Sequence, residues 1–296
     1  MDAKMAAAPT AAAPPEMPAV PGFTHRYIET PGLRTHVATI GAGDPVVLLH
    51  GFPQHWWQWR QIGKGLADRY QVICPDLRGA GWTKAASPRI ARLTRMGDLL
   101  AVLDAMELDR VRLVAHSNAT LTAMQLAYTR PKRVRAMITL SEPPLFMPFS
   151  LAMLPATRPV PRFLFHRRGR SIAHAFEPPY VASPMPPETV ATYLSPLRRP
   201  EIDAAIPRLM RAALANVPQM AGGTYRRDRL HVPSLYAFGE KNEPLTEPFV
   251  REQCGDTARY ADHVEFASVA AAAYFMTDDR PDAVEDLVRN FFERMG

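Results

Sequence analysis

Two loops that follow short apolar runs carry the residues whose types and spacing could do chemistry. One reads His50-Gly51-Phe52-Pro53, and the other reads Ala115-His116-Ser117-Asn118-Ala119 between a predicted strand and a predicted helix. A nucleophile elbow requires small residues two places either side of the serine, because the tight turn leaves no room for larger side chains. The sequence therefore predicts that Ser117 lies in an active-site pocket at the start of a helix.

The start of that helix is also suited to hold negative charge. Free backbone N–H groups and the helix dipole favour anions at a helix N-terminus. A glycine after a strand lets the first loop turn sharply and point an N–H inward. We therefore expect the backbone N–H groups of Phe52 and Asn118 to form an oxyanion hole.

Alternating strand and helix patterns position these loops. Strands are predicted at 24–29, 33–40, 45–50, 71–75, 111–115, 134–140, 234–239 and 263–267, and helices at 57–70, 90–107, 118–129, 187–194, 201–214, 247–253 and 281–294. Such alternation predicts an α/β fold with a mostly parallel sheet flanked by helices, whose ligands bind at the carboxyl ends of the strands. The alternation of strands and helices is absent between 145 and 225, which predicts that this segment is inserted into one core domain formed by 22–144 and 226–296.

Composition excludes several classes of protein. The 296 residues are 47% hydrophobic with apolar runs too short to span a bilayer, so we expect no membrane association. The net charge of +6 comes mainly from nine arginines in 145–225. This segment lacks a nucleic-acid-binding motif, so we expect no nucleic acid partner. The arginines are expected to form a solvated face or, alternatively, a rim that attracts an anionic substrate. Two cysteines and no signal peptide predict a cytoplasmic protein, and 1–21 reads as a disordered Ala/Pro-rich tail.

Three segments of the chain resemble a known family. HGFPQHWWQWRQI, CPDLRGAGWT and DRVRLVAHSNA are similar to the α/β-hydrolase superfamily, nearest its epoxide hydrolase and haloalkane dehalogenase-like branch. The resemblance covers 23–144 and 226–292. It implies an α/β-hydrolase fold in which 145–225 forms an inserted helical lid, or cap, that roofs the active site.

The chain departs from that family at each catalytic position. The branch carries aspartate as nucleophile, where this chain has Ser117. The family's acid position, in Gly239-Glu240-Lys241-Asn242, is the amide Asn242, while Glu142 ends an earlier strand where some relatives keep their acid. The position of the histidine base is Tyr274.

The loss of the histidine decides what Ser117 can do. A serine hydroxyl needs a base to become nucleophilic, and a tyrosine with a pKa near 10 donates protons at neutral pH. A displaced base, with His55 as a candidate, would restore hydrolysis. Alternatively, Tyr274 is a catalytic donor or a core tyrosine that bonds to Asn242.

The resemblance also implies a roofed pocket for a small apolar molecule. Five residues are expected to contact the substrate or else to pack in the core: Trp56, His116, Phe146, Phe149 and Phe275. We expect an enzyme for an aromatic or polyketide-like metabolite that performs cofactor-independent oxygenation, carbon–carbon bond formation or cyclisation, as monomer or homodimer and without a metal. The alternatives are a serine ester or epoxide hydrolase and a non-catalytic ligand-binding protein.

Overall fold

The computed structural model describes residues 15–296, and a nine-stranded sheet forms its centre. The strands are β1 (Thr24–Thr30), β2 (Leu33–Ile40), β3 (Asp44–Leu49), β4 (Tyr70–Pro75), β5 (Lys84–Ala85), β6 (Val111–His116), β7 (Val134–Leu140), β8 (Ser234–Gly239) and β9 (Val264–Val269). Their order is β1-β2-β4-β3-β6-β7-β8-β9, with β5 beside β2. The pairs from β4-β3 to β8-β9 are parallel, while β1 and β2 are antiparallel. The α/β-hydrolase fold predicted from the sequence is confirmed.

Twelve α-helices connect or cover the strands in the described part of the chain. They are α1 (Ile62–Leu66), α2 (Thr94–Ala105), α3 (Ala119–Thr129), α4 (Val160–Leu164), α5 (Pro187–Leu194), α6 (Pro200–Asp203), α7 (Ile206–Leu214), α8 (Val217–Ala221), α9 (Thr224–Arg227), α10 (Glu247–Cys254), α11 (Met276–Asp279) and α12 (Pro281–Arg294).

Two of the predicted helices are interrupted in the structure. The stretch predicted as one helix at 57–70 is a 3₁₀ turn, Trp56–Trp59, followed by the short α1. The stretch at 201–214 divides into α6 and α7. Pro207 in the first turn of α7 has no backbone N–H to continue the hydrogen bonding of α6, so a new helix begins there.

Alternating residues of the strands contribute their side chains to two hydrophobic cores, one on each face of the sheet. In β3, Val47 and Leu49 pack with α2, α3 and α10, whereas Val46 and Leu48 pack with α1 and α12. This period of two is what a strand covered on both faces requires. The sheet is thereby held rigid, and its carboxyl edge forms a fixed base for the loops that follow β3, β6 and β7.

The chain between β7 and β8 packs over that edge. A cluster around Phe163, Ile206 and Leu209 contacts Phe52 of the first loop. A second cluster around Phe176 and Tyr193 contacts Phe275 and Tyr274. The inserted segment therefore covers the residues that the sequence places at the active site.

The predicted tail is partly ordered. Within 1–21, residues 1–14 lie outside the described part of the structure, but 15–21 pack on the core. The indole N–H of Trp82 donates to the Pro15 carbonyl at 3.1 Å, and Met17 and Val20 contact the core cluster on the α12 side. The prediction of disorder is wrong for 15–21, because apolar side chains between the prolines find a hydrophobic surface. Within 15–296, no helix is long and apolar enough to cross a membrane.

Candidate active site

Ser117 occupies a strained turn between β6 and α3. Its φ of +56° lies in the left-handed region, which residues other than glycine adopt only under constraint, and its N–H donates to Leu140 O at 3.2 Å. Ala115 and Ala119 are fully buried on either side. A Cβ at Gly51 would lie 2.8 Å from Ser117 Cβ, so the first loop can approach the serine only with glycine there. These are the features of a nucleophile elbow.

The hydroxyl of Tyr274 bridges Ser117 and Glu142. It lies 2.7 Å from Ser117 Oγ and 2.8 Å from Glu142 Oε1. A phenol has one proton and so donates to one oxygen at a time. When Tyr274 donates to the Glu142 carboxylate, the Ser117 hydroxyl is free to donate to the phenolic oxygen, which gives a continuous chain from serine to carboxylate.

The two titratable groups of this chain are both shifted toward their protonated forms. Burial raises the pKa of the Glu142 carboxyl to about 7, although the hydrogen bond from Tyr274 opposes the shift. Burial and the adjacent Glu142 charge raise the pKa of Tyr274 well above its ordinary value. At neutral pH the phenol is therefore protonated, while the carboxyl group lies close to its midpoint.

Two side chains hold the backbone of Tyr274 in place. The Ser141 hydroxyl donates to the Tyr274 carbonyl at 2.7 Å, and His116 Nε2 lies 2.8 Å from the same oxygen. Burial lowers the pKa of His116 to about 4, and its Nδ1 lies 3.1 Å from Gln54 Oε1. His116, which the sequence assigned to substrate contact, instead orients the loop that carries Tyr274.

The structure separates Asn242 from this network. Asn242 is buried after β8, and its Nδ2 donates to Leu245 O at 3.2 Å within its own loop. Of the two alternatives for Tyr274, the bond to Asn242 is therefore wrong: the partner of the phenol is Glu142, because the loop after β7 is closer to the elbow than the loop after β8.

His55 is likewise engaged elsewhere. Its Nε2 lies 3.2 Å from Thr192 O in the inserted segment, and its Nδ1 accepts from the N–H of Trp57 at 3.4 Å. Burial lowers its pKa to about 4. Within 15–296, the hydrogen bonds of Ser117 Oγ include no imidazole, so the structure gives no support to a displaced histidine base.

The residues expected to form the oxyanion hole flank Ser117 but also have other contacts. The Phe52 ring packs edge-on against Phe163 of α4, with centroids 5.1 Å apart. The Asn118 side-chain oxygen accepts from Arg95 Nη1 at 3.1 Å. The Gly51 N–H is already taken by Gln58 Oε1 at 2.9 Å, which leaves Phe52 and Asn118 as the proposed backbone donors.

The aromatic residues expected to contact substrate divide into three groups. Trp56 is fully buried in the core, and its ring centroid lies 4.7 Å from that of His25. Phe146 is also fully buried and stacks on Tyr260, with centroids 5.4 Å apart. The expected substrate contact is not supported for either residue, because core side chains enclose both rings. Phe149 is 51% exposed in the inserted segment. Phe275 alone lies between the Tyr274 loop and that segment, 5.2 Å from the ring of Phe176.

A buried polar cluster joins the inserted segment to the core beside the site. Asp278 accepts from Gln54 Nε2 at 2.7 Å and from the Tyr193 hydroxyl at 2.8 Å, and it pairs with Arg60 at 3.2 Å. Burial raises the pKa of Asp278 above its ordinary value. Sequence reasoning missed this cluster, because its members come from three distant segments and no local pattern connects them.

Sequence reasoning also missed Arg95, for which a signal exists. Arg95 lies four residues before Leu99 on the buried face of α2, together with Val102 and Leu103. A charged residue at an apolar position of an amphipathic helix is unusual unless it is paired. Arg95 lines the cavities on both sides of it, one bordered by the Phe52 loop and one by Asn118.

The site is closed in this structure. Each of those two cavities has a volume of about 20 Å³, enough for about one water molecule. A larger cavity of about 450 Å³ lies on the inserted segment, bordered by Arg167, Arg168, Arg208 and Arg211. Within 15–296, no group of three His, Cys, Asp or Glu side chains is arranged to hold a metal ion.

The fold agrees with comparison to known proteins. A family model described as alpha/beta hydrolase fold matches residues 44–251, and the chain belongs to that family. Solved structures with the same fold include epoxide hydrolase VrEH1 from Vigna radiata, with a TM-score of 0.75, 23% identity and coverage of 92% of this chain and 99% of that one. Cfl2 from Burkholderia cenocepacia has a TM-score of 0.76 and 22% identity, covering 94% and 99%.

Curated relatives match over a shorter stretch. Epoxide hydrolase 2 of Siraitia grosvenorii is 41% identical over 121 residues, which are 40% of this chain and 38% of that protein. The 2-hydroxy-6-oxo-2,4-heptadienoate hydrolase of Pseudomonas putida is 34% identical over 117 residues, 38% and 42% of the two chains. The matched stretches thus span less than half of the length of these relatives.

Proposed function

We propose that this enzyme removes a proton from a small apolar, aromatic or polyketide-like molecule and holds the resulting oxyanion, without forming an acyl-enzyme. The observation that carries the proposal is the Tyr274 hydroxyl bridging Ser117 Oγ and Glu142 Oε1 at 2.7 and 2.8 Å. Such chemistry covers carbon–carbon bond formation, cyclisation and oxygenation of a carbanion-like substrate without a cofactor.

Glu142 is the proton acceptor in this mechanism. Its pKa, raised by burial to about 7, suits a general base at neutral pH, since a base works best when its pKa is near the working pH. Tyr274 passes the proton on: its phenol gives a proton to Glu142 while it takes one from the Ser117 hydroxyl, which takes one from the substrate. The substrate loses one proton and Glu142 gains it, and Ser117 and Tyr274 end as they began.

The negative charge left on the substrate needs donors. The backbone N–H groups of Phe52 and Asn118 are proposed to fill this role beside the elbow. The inserted segment, which packs on Phe52 and Phe275, keeps water from the site and so strengthens those hydrogen bonds.

A second candidate is hydrolysis through a covalent Ser117 intermediate. The strained φ of Ser117 and the relatives named epoxide hydrolase favour it. In that case the same Tyr274–Glu142 pair would deprotonate Ser117 directly. The two candidates differ in one respect, which is whether Ser117 becomes covalently bound.

Hydrogen–deuterium exchange tests the proposal without knowledge of the natural substrate. Phenylacetone and 2-indanone, incubated with the enzyme in D₂O, are expected to exchange their α-hydrogens faster than in buffer, as followed by proton NMR. Y274F and E142Q should abolish the acceleration, whereas Y27F, the same change on an exposed strand residue, should keep it.

Two results would contradict the proposal. Mass-spectrometric detection of a Ser117 adduct during turnover of phenyl acetate or styrene oxide would establish the hydrolase. An absence of exchange and of hydrolysis, combined with tight binding of these compounds, would indicate a ligand-binding protein.

A further inference from the structure

Arg95 is a buried cation that makes no direct ion pair among residues 15–296; burial lowers its pKa to about 10, and the charge of Asp98 opposes that shift from a distance. Arg95 is 8% exposed, and it forms no ion pair. The carboxylates nearest in the fold are already bound: Asp98 receives two hydrogen bonds from Arg78, at 2.6 and 2.8 Å, and Asp76 accepts from Trp56 and Trp82. Burying a charge without a direct partner is costly.

Arg95 is held by two neutral acceptors, which leaves donors to spare. Its Nη1 donates to Asn118 Oδ1 at 3.1 Å and its Nη2 donates to Arg78 O at 3.4 Å. Arg95 Nε and Asn118 Nδ2 are both buried and have no acceptor within 15–296. Two adjacent residues therefore present unpaired N–H donors, and together they lack a hydrogen-bond acceptor that carries negative charge.

The position of Arg95 connects these donors to the active site. Asn118 follows Ser117 in the elbow, and Arg95 also borders the cavity formed by Gly51, Phe52 and His55. On the far side, the cavity beside Asn118 is bordered by Leu121, Thr122 and Leu209 and contains no carboxylate. Leu209 of α7 borders both cavities, so a ligand larger than water needs α7 to be displaced.

We infer that Arg95 and the Asn118 side chain bind an anionic group of the substrate, so that the proposed proton transfer acts on a carboxylate-bearing apolar molecule. This inference rests on the proposed function only for the identity of the site. A carboxylate has two acceptor oxygens, so it can accept hydrogen bonds from a guanidinium and from a neighbouring amide. The anionic group anchors the substrate beside Asn118, while the Ser117–Tyr274–Glu142 chain acts on another part of the molecule.

Binding measurements test this without any turnover. Phenylacetate and its neutral analogue phenylacetamide, which are matched in size, are titrated calorimetrically into the wild-type enzyme. We expect the acid to bind at least about tenfold more tightly than the amide, as hydrogen bonds to a charged group provide. R95M should remove this preference by weakening the acid alone, and R89M, an exposed arginine nearby in the chain, should leave it intact.

Stability of the same variants distinguishes a binding role from a structural one. If the role of Arg95 is to bind an anion, R95M should keep or raise the melting temperature in the absence of ligand. Formate, acetate or phenylacetate should then raise the melting temperature of the wild type but not that of R95M. R95K, which keeps the charge, should retain part of the preference for the acid. Should R95M fail to fold, R95Q is measured in its place.

Three results would overturn the inference. They are equal affinity for acid and amide in the wild type, equal weakening of both by the Arg95 substitutions, and no stabilisation by any of the three anions. E142Q and Y274F should retain the preference for the acid. The failure of proton exchange and the failure of anion binding are therefore separate outcomes.

Discussion

Replacing Glu142 with glutamine should stabilise the protein at alkaline pH. The folded chain raises the pKa of this carboxyl from 4.5 to about 7, so the folded state binds a proton that the unfolded state has released. Its contribution to stability is fully present below pH 4.5 and is lost as pH rises through 7. The amide that E142Q introduces has no proton to lose in this range, and its oxygen can still accept from Tyr274.

The size of the effect follows from the two pKa values. Each pKa unit corresponds to about 1.4 kcal/mol, which gives an upper figure of about 3 kcal/mol for the destabilisation of the wild type at pH 8. Glu142 as a whole residue is only half-buried, and screening by water reduces this figure. We therefore expect E142Q to be about 2 kcal/mol more stable than the wild type at pH 8 and equal to it at pH 4.5.

Guanidinium unfolding followed by tryptophan fluorescence at pH 4.5, 6, 7 and 8 measures this difference. The matched control is E252Q, the same change on the exposed side of α10, which should follow the wild-type profile. A gap between E142Q and the wild type that stays constant with pH would refute the reasoning, because it would mean that Glu142 does not titrate in this range.

Four other predictions concern the site and the inserted segment. The rate of proton exchange should rise with pH and level off above about pH 7, as Glu142 loses its proton, in rate profiles of the wild type. Y274F should lower exchange at least about a hundredfold while the fold, judged by circular dichroism, is retained. Y193F removes the hydroxyl bound to Asp278, so trypsin should cleave the segment between 145 and 225 faster. W56F should lower the unfolding free energy by about 2 kcal/mol and leave ligand affinity unchanged, since the indole lies in the core.

Local sequence patterns were enough to predict the α/β class and the elbow, and the resemblance of three motifs implied the α/β-hydrolase fold. The strands at 134–140 and 234–239 and the helices at 187–194 and 281–294 have the predicted limits, because apolar periodicity and flanking prolines define them. Ser117 was located by its small neighbours, which reflect a steric requirement of the turn itself. Such features depend on residues a few places apart, and so a sequence displays them.

Pairings between distant loops could not be read in the same way. Asn242 and Glu142 both follow strands of the sheet, and only the packing of the loops decides which one Tyr274 reaches. A tryptophan such as Trp56 can lie in a hydrophobic core or line a pocket. Its burial here depends on contacts with His25 of β1 and His36 of β2, which are distant in sequence. Arg95 is different, because its place on an apolar helix face is visible in the sequence as a broken pattern.

The register between β6 and β7 has a consequence for where this chain can carry its acid. His116 pairs with Leu140, so Ser117 and Glu142 leave neighbouring parallel strands at nearly the same level. This register brings the serine and the carboxylate to the two sides of the Tyr274 hydroxyl, so the segment 240–246 does not have to supply the acid. Position 242 can therefore hold an amide in this chain, while the N–H groups of Glu240 and Lys241 donate to the Val269 and Ala272 carbonyls and so support the loop that leads to Tyr274.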